Sequence, residues 1–267
     1  MIQLPDHRPA ADVLRRLGEY QKHVDVARSY AQRVDEAKRL WSLRNKRGNQ
    51  TFDAIKTTLD SMCSGARRCC YCEDSAADEV EHIKPKNFFP ELVFAWDNYL
   101  YACGPCNGPK GTRYGYVVGD EVREFVRRAG ERVRRPPASV DGLIDPRHED
   151  PMELLGLDLV DTFWFVPRAE PGTLGHARAE HTIELLHLND RDVLPRARNA
   201  AYHDYARHLE AYAKARDGGA SRSALARRRQ ELLSRQHPTV FREMQRNPSV
   251  RDDLARIFAE VPEALAW

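Results

Sequence analysis

The sequence predicts a mainly α-helical chain with a small α+β core set between helical flanks. Three observations point there. Apolar residues recur at three- and four-residue steps on both sides of a central segment. That central segment holds all six cysteines, from Cys63 to Cys106. Within it, Val80 and Ile83 flank a charged pair in a short stretch stopped by Pro85, the pattern of a brief strand entering a loop.

Residues 8–62 read as helical. Leu14, Leu17, Val24 and Ala27 recur at helical steps with charges between them. Leu40, Trp41 and Leu43 continue a second segment, which Gly48-Asn49 breaks before Thr51–Ile55 starts a third helix. Trp41 with Arg44, Lys46 and Arg47 offers a nucleic-acid contact, but core packing and a solvated basic edge explain them more simply.

Four cysteines fall as two pairs, Cys69-x-x-Cys72 and Cys103-x-x-Cys106. A two-residue gap lets both thiolates of a knuckle reach one tetrahedral metal, and two knuckles close a structural zinc site. A redox pair or chance clustering are the alternatives, and two pairs at matching spacing favour zinc. The pairs stand 30 residues apart, so something folded lies between them. Cys70 sits inside a knuckle as a competing ligand, but its side chain is expected to point away, and Cys63 reads as a plain thiol. Between the pairs stands Glu81-His82, an odd choice for packing alone. A carboxylate is a hard ligand for magnesium or manganese, and a neighbouring histidine can take a proton from water near neutral pH. Asn107, just after the last cysteine, offers an amide oxygen as another hard ligand.

The run Cys-x-x-Cys, Glu-His-Ile-x-Pro-Lys, Trp-x-Asn, Cys-x-x-Cys-Asn-x-x-Lys-Gly resembles the HNH endonucleases, whose core is the ββα-metal fold. The resemblance covers about residues 66–113. It implies that His82 is the general base, that Glu81 is the metal-binding acid where many members have Asp, and that Asn98 orients the loop carrying the histidine. Asn107 takes the third position, where many members have His, and is implied as a magnesium or manganese ligand in an H-N-N variant. The implied reaction is metal-assisted hydrolysis of a nucleic-acid phosphodiester. Lys84, Lys86, Lys110 and Arg113 surround these positions and are expected to meet backbone phosphates.

The expected division is an N-terminal helical region at 1–60, the HNH ββα-metal zinc core at 61–118, and a mainly helical C-terminal region at 119–267. Residues 117–135 carry six arginines among glutamates and suit either a substrate guide or a salt-bridged face. Thr162–Val166 reads as a strand, more suited to a core than to base stacking. From about Ala177 the chain reads as helical to its end. Asn189-Asp190 marks a break and N-cap, a long helix runs from Arg191 to Arg216, and further helices cover about 221–236 and 249–259. "LIDPRHEDP" and "ARAEHTIELLHLND" resemble, more loosely, the PtuB-like HNH effectors of Septu and retron anti-phage systems. That resemblance implies an ABC-type, PtuA-like ATPase partner, and the absence of a Gly-x4-Gly-Lys-Ser/Thr loop here fits such a division of labour.

Composition bounds the function classes. Apolar runs of five residues, such as Leu92–Trp96, are too short to span a bilayer. The first residues lack a basic region followed by an apolar stretch, so a cytoplasmic protein is expected. The net charge of +2 argues against a wholly basic wrapper of nucleic acid while allowing a locally basic groove.

Overall fold

The computed structural model describes residues 1–128 and 130–267. About half of these residues are helical, and the strands form three small antiparallel two-stranded sheets. The chain begins with helices α1 (Ala11–Asp25), α2 (Tyr30–Arg44) and α3 (Gln50–Asp60). The starts of α2 and α3 follow from capping chemistry. Ser29 and Gln32 form a reciprocal capping box at α2, and the Asn49 side chain accepts from the Thr51 and Phe52 amides at α3. Leu17, Val24, Val34, Leu40, Phe52, Ile55 and Leu59 bury the inward faces.

Strand β1 (Glu79–His82) pairs antiparallel with β2 (Tyr99–Ala102), with Glu79 opposite Ala102 and His82 opposite Tyr99. Helix α4 (Gly104–Lys110) follows directly. It ends at Gly111, whose φ of +45° lies in the left-handed region that glycine adopts without cost. A second hairpin, β3 (Gly115–Val118) with β4 (Glu121–Glu124), covers a small satellite cluster of Phe88, Tyr114 and Phe125. A third pairs β5 (Leu155–Leu157) with β6 (Phe165–Pro167).

Five helices complete the chain: α5 (Leu174–Leu185), α6 (Val193–Asp217), α7 (Arg222–Leu233), α8 (Pro238–Arg246) and α9 (Asp252–Glu260). Helix α5 packs on β4, and its His181 ring reaches Gly115 of β3. A Cβ at Gly115 or Gly142 would intrude on the His181 ring and the Val122 side chain, so both close approaches require glycine. One contiguous core joins residues from Met1 to Ala264 and takes side chains from all three sequence segments. Among the described residues, no helix is long and apolar enough to cross a membrane.

Several elements differ from the sequence expectation. The arginine-rich stretch opens with the β3–β4 hairpin. Arg123 pairs with Glu121 and Arg135 with Glu91, while Arg127 and Arg134 lie over the rings of Phe88 and Phe125. The expected strand at Thr162–Val166 pairs only from Phe165, because Phe163 takes a left-handed φ of 54°. Asn189 does not cap α6. Its amide instead bonds the Phe165 N–H and C=O at 2.9 Å each, holding β6 to the α5–α6 connection. Helix α8 is absent from the sequence expectation, although Pro238 and the spacing of Val240, Phe241 and Met244 mark it. It is entered through His237 in the left-handed region and Pro238 at the first turn.

Two buried polar contacts tie the C-terminal helices to the rest. Glu73 accepts from the Thr239 amide at 3.1 Å and its hydroxyl at 2.7 Å. Arg198 is 1% exposed and donates to the carbonyls of Phe163 at 2.9 Å and Leu188 at 2.7 Å. Replacing Arg198 with Leu leaves both carbonyls buried without that donor. The expected loss is about 2–4 kcal/mol in stability, read from denaturant unfolding.

Candidate functional site

The sulfurs of Cys69, Cys72, Cys103 and Cys106 all lie within 4.8 Å of one another, and all four residues are buried. The Cys72 and Cys103 sulfurs are 3.8 Å apart. A tetrahedral site with Zn–S of about 2.3 Å spaces its sulfurs about 3.8 Å apart, so the donor set fits a zinc ion. The Tyr71 amide donates to Cys69 Sγ at 3.4 Å, and Arg191 Nη2 donates to Cys106 Sγ at 3.2 Å. Both donors favour thiolate charge. Cys70 stands outside this group, with its sulfur 3.9 Å from that of Cys63.

The two cysteine pairs bracket the β1–β2 hairpin, and α4 packs on β1. Two rungs join α4 to the strand. Asn107 Nδ2 donates to Glu79 Oε2 at 2.5 Å. One turn further on, Lys110 Nζ pairs with the Glu81 carboxylate and donates to the His82 carbonyl at 2.7 Å. Glu79 thus holds the Asn107 amide nitrogen, and the amide oxygen is the atom that remains to accept. Burial raises the Glu81 carboxyl above the usual range, and the Lys110 ammonium opposes that shift.

His82 leaves the strand toward the N-terminal helices. Its ring lies 4.1 Å from the Trp41 ring and 5.3 Å from that of Tyr99, centroid to centroid. Nε2 stands 3.0 Å from the Val93 carbonyl. A carbonyl only accepts, so Nε2 carries the hydrogen and Nδ1 keeps its lone pair. Burial first, and the Lys86 charge second, push the His82 pKa down to about 3. Asn98 clips the intervening loop. It accepts from the Lys84 amide at 2.7 Å and donates to the carbonyls of Lys84 at 3.0 Å and Leu92 at 3.1 Å. The last of these neighbours the Val93 carbonyl that holds His82.

Glu81, His82, Lys86 and Asn107 line one cleft of about 470 Å³, with Asp78 and Glu79 beside them. Asn98 is 6% exposed and acts from behind the wall. The other basic residues that the sequence groups here part company. Lys84 pairs with Asp141 at 2.9 Å, and Arg113 pairs with Glu124 at 2.9 Å. Lys110 is 1% exposed and faces Glu81, not solvent. Sequence reasoning missed Lys56 and Asn45, which reach the same cleft from α3 and the end of α2. Spacing along the chain carries no signal for residues brought in from another helix pair.

No family model matches the chain, and no solved structure matches it. A curated relative, the Septu protein PtuB of Bacillus thuringiensis, is 33% identical over 95 residues. The match covers 34% of this chain and 37% of the relative, so it spans about a third of that protein's length.

Two predictions test the site. The purified chain is expected to carry one zinc ion by elemental analysis. Cys106→Ser should lose it and melt at lower temperature, as a closed structural site requires. The second concerns acid stability. The unfolded His82 imidazole takes up its proton near pH 6.5, and the folded one not until about pH 3. Between those values the unfolded state binds more protons, so stability falls as pH falls. His82→Asn should make the melting temperature less steep in pH across that window.

Proposed function

We propose that the chain is a metal-dependent HNH endonuclease that hydrolyses phosphodiester bonds of nucleic acid, with DNA favoured over RNA. In this proposal residues 61–118 are the nuclease unit, and β1, β2 and α4 are its ββα-metal element. The observation that carries the reading is the convergence of Glu81, His82 and Asn107 on one cleft, with the histidine's lone pair left open by the Val93 contact. The partial similarity to Septu PtuB supports a second component of the proposal. The chain is the effector of a bacterial anti-phage complex, acting in the cytoplasm with an ABC-type, PtuA-like ATPase partner.

His82 Nδ1 takes the proton of the attacking water. The Nε2–H to Val93 bond fixes the tautomer and steadies the imidazolium that forms. An anionic phosphate arriving beside Lys86 offsets the positive charge that depresses the histidine, raising its basicity when substrate is present. Glu81 and Asn107 Oδ1 are hard oxygen donors that would hold a magnesium or manganese ion. Such an ion supplies Lewis-acid stabilisation of the phosphate and the departing 3′-oxygen. The Lys110 ammonium favours the Glu81 carboxylate against the burial that raises its pKa, and Glu79 keeps the Asn107 amide turned for ligation.

One observation favours a second reading, a zinc-bearing nucleic-acid-binding or scaffold module without catalysis. Glu81 already has a cationic partner in Lys110, so its charge is balanced without a divalent ion.

His82→Ala is expected to lower metal-dependent cleavage by at least about 100-fold, the usual share of a general base. Its zinc content should stay at the wild-type level. Wild-type cleavage rates in a clean preparation of that variant would contradict the assignment.

A further inference from the structure

We propose that α2 and α3 supply a second wall of the cleft, on which Lys56 grips the phosphate backbone of a nucleic-acid strand beside Lys86. The proposal rests on the nuclease reading and adds to it a binding surface from the N-terminal helices.

The cleft is built from two parts of the chain. Asp78, Glu79, Glu81, His82 and Asn107 come from the hairpin and α4, whereas Trp41, Asn45 and Lys56 come from α2, its C-terminal end and α3. The acids thus gather on one contributor, and a lysine stands on the other. Among the described residues, neither Lys56 nor Lys86 has a carboxylate within ion-pair distance, in contrast to Lys84, Lys110 and Arg113. Lys86 is partly buried, and its pKa is lowered by burial first and by the charges of Lys110 and Lys38, against the pull of Glu81. Lys86 Nζ stands 5.8 Å from the centre of the Trp41 ring, and half-buried ammonium groups with no carboxylate in direct contact are costly. An anion entering from solution removes that cost, and a phosphodiester is the anion that the adjoining base and oxygen donors would act upon.

The same wall offers no base-stacking platform. Trp41 is the aromatic residue lining the cleft, and it is 8% exposed. Its ring is occupied by His82, by Phe52 at 5.2 Å and by Tyr99 at 5.6 Å. Binding through charge without stacking predicts a strong dependence on salt.

The test measures binding in the His82→Ala background, so that substrate survives, without added magnesium or manganese. Fluorescence anisotropy with labelled duplex DNA, single-stranded DNA and RNA is followed across a salt series. Lys56→Ala should weaken binding several-fold. It should also flatten the slope of log affinity against log salt by about 0.9 on duplex, or about 0.7 on a single strand, the value of one phosphate contact. Lys56→Glu should weaken binding further. Lys214→Ala, on α6 and outside the cleft lining, should leave the slope as it was. Matched thermal melts confirm folding, and alanine suits the helical position. Binding with an unchanged slope in both Lys56 variants overturns the second wall and leaves the nuclease reading standing. Absence of binding to all three nucleic acids at low salt, with or without the Lys56 changes, overturns both.

Discussion

Four sulfurs gathered within 4.8 Å set the position of everything the site uses. The first pair, Cys69 and Cys72, precedes β1, and the second begins immediately after β2 ends at Ala102. Bringing the pairs together therefore closes the hairpin at its open end, where Glu79 faces Ala102. The Cys70 amide adds a bond to the Tyr101 carbonyl at 3.0 Å. Because Cys106 lies within α4, the same constraint fixes the start of that helix. Asn107 and Lys110 then fall one turn apart, opposite Glu79 and Glu81. A hairpin of four-residue strands has too little surface to hold such geometry alone, and thiolate–metal bonds are the stronger device.

The second determinant is how charge is distributed around that frame. A lysine buried beside a glutamate is strongly destabilising if either partner is removed, and it gives the pair one arrangement. Here the pair also holds the His82 carbonyl, so the backbone at the catalytic candidate is fixed from below. Asn98 fixes the other end of the loop and, through Leu92, the neighbourhood of the Val93 carbonyl. The histidine is thus held by its main chain on one side and its ring on the other, with one nitrogen left open. The N-terminal helices complete the enclosure through Trp41, and this packing keeps the imidazole neutral.

Much of this was legible in the sequence because it is local. Paired cysteines, the strand before Pro85 and the helical periodicity of α1, α3 and α6 depend on near neighbours. Cys70 lies inside the first knuckle, and its sulfur turns away from the four-cysteine group toward Cys63. What escaped was long-range. Lys110 reads as an exposed base next to a glycine, and only the packing of α4 on β1 turns it toward Glu81. Asn189 reads as a helix cap, yet a strand from elsewhere claims its amide. Lys56 carries no motif, and its place in the cleft exists only because α3 packs against β2. The hydrophobic core runs across the expected division at 61–118.

Turnover of nucleic acid in the cleft is what separates a nuclease from a binding module. The most direct measurement is a magnesium and manganese titration of cleavage on plasmid DNA, single-stranded DNA and total tRNA, with zinc content followed in parallel. The chain is tested alone and together with any ATPase subunit that co-purifies with it. A nuclease cleft gives cutting that rises with the added cation while zinc stays constant. Nucleic-acid binding with no turnover at any cation concentration, with or without the partner, would contradict it and leave the zinc-bearing binding module.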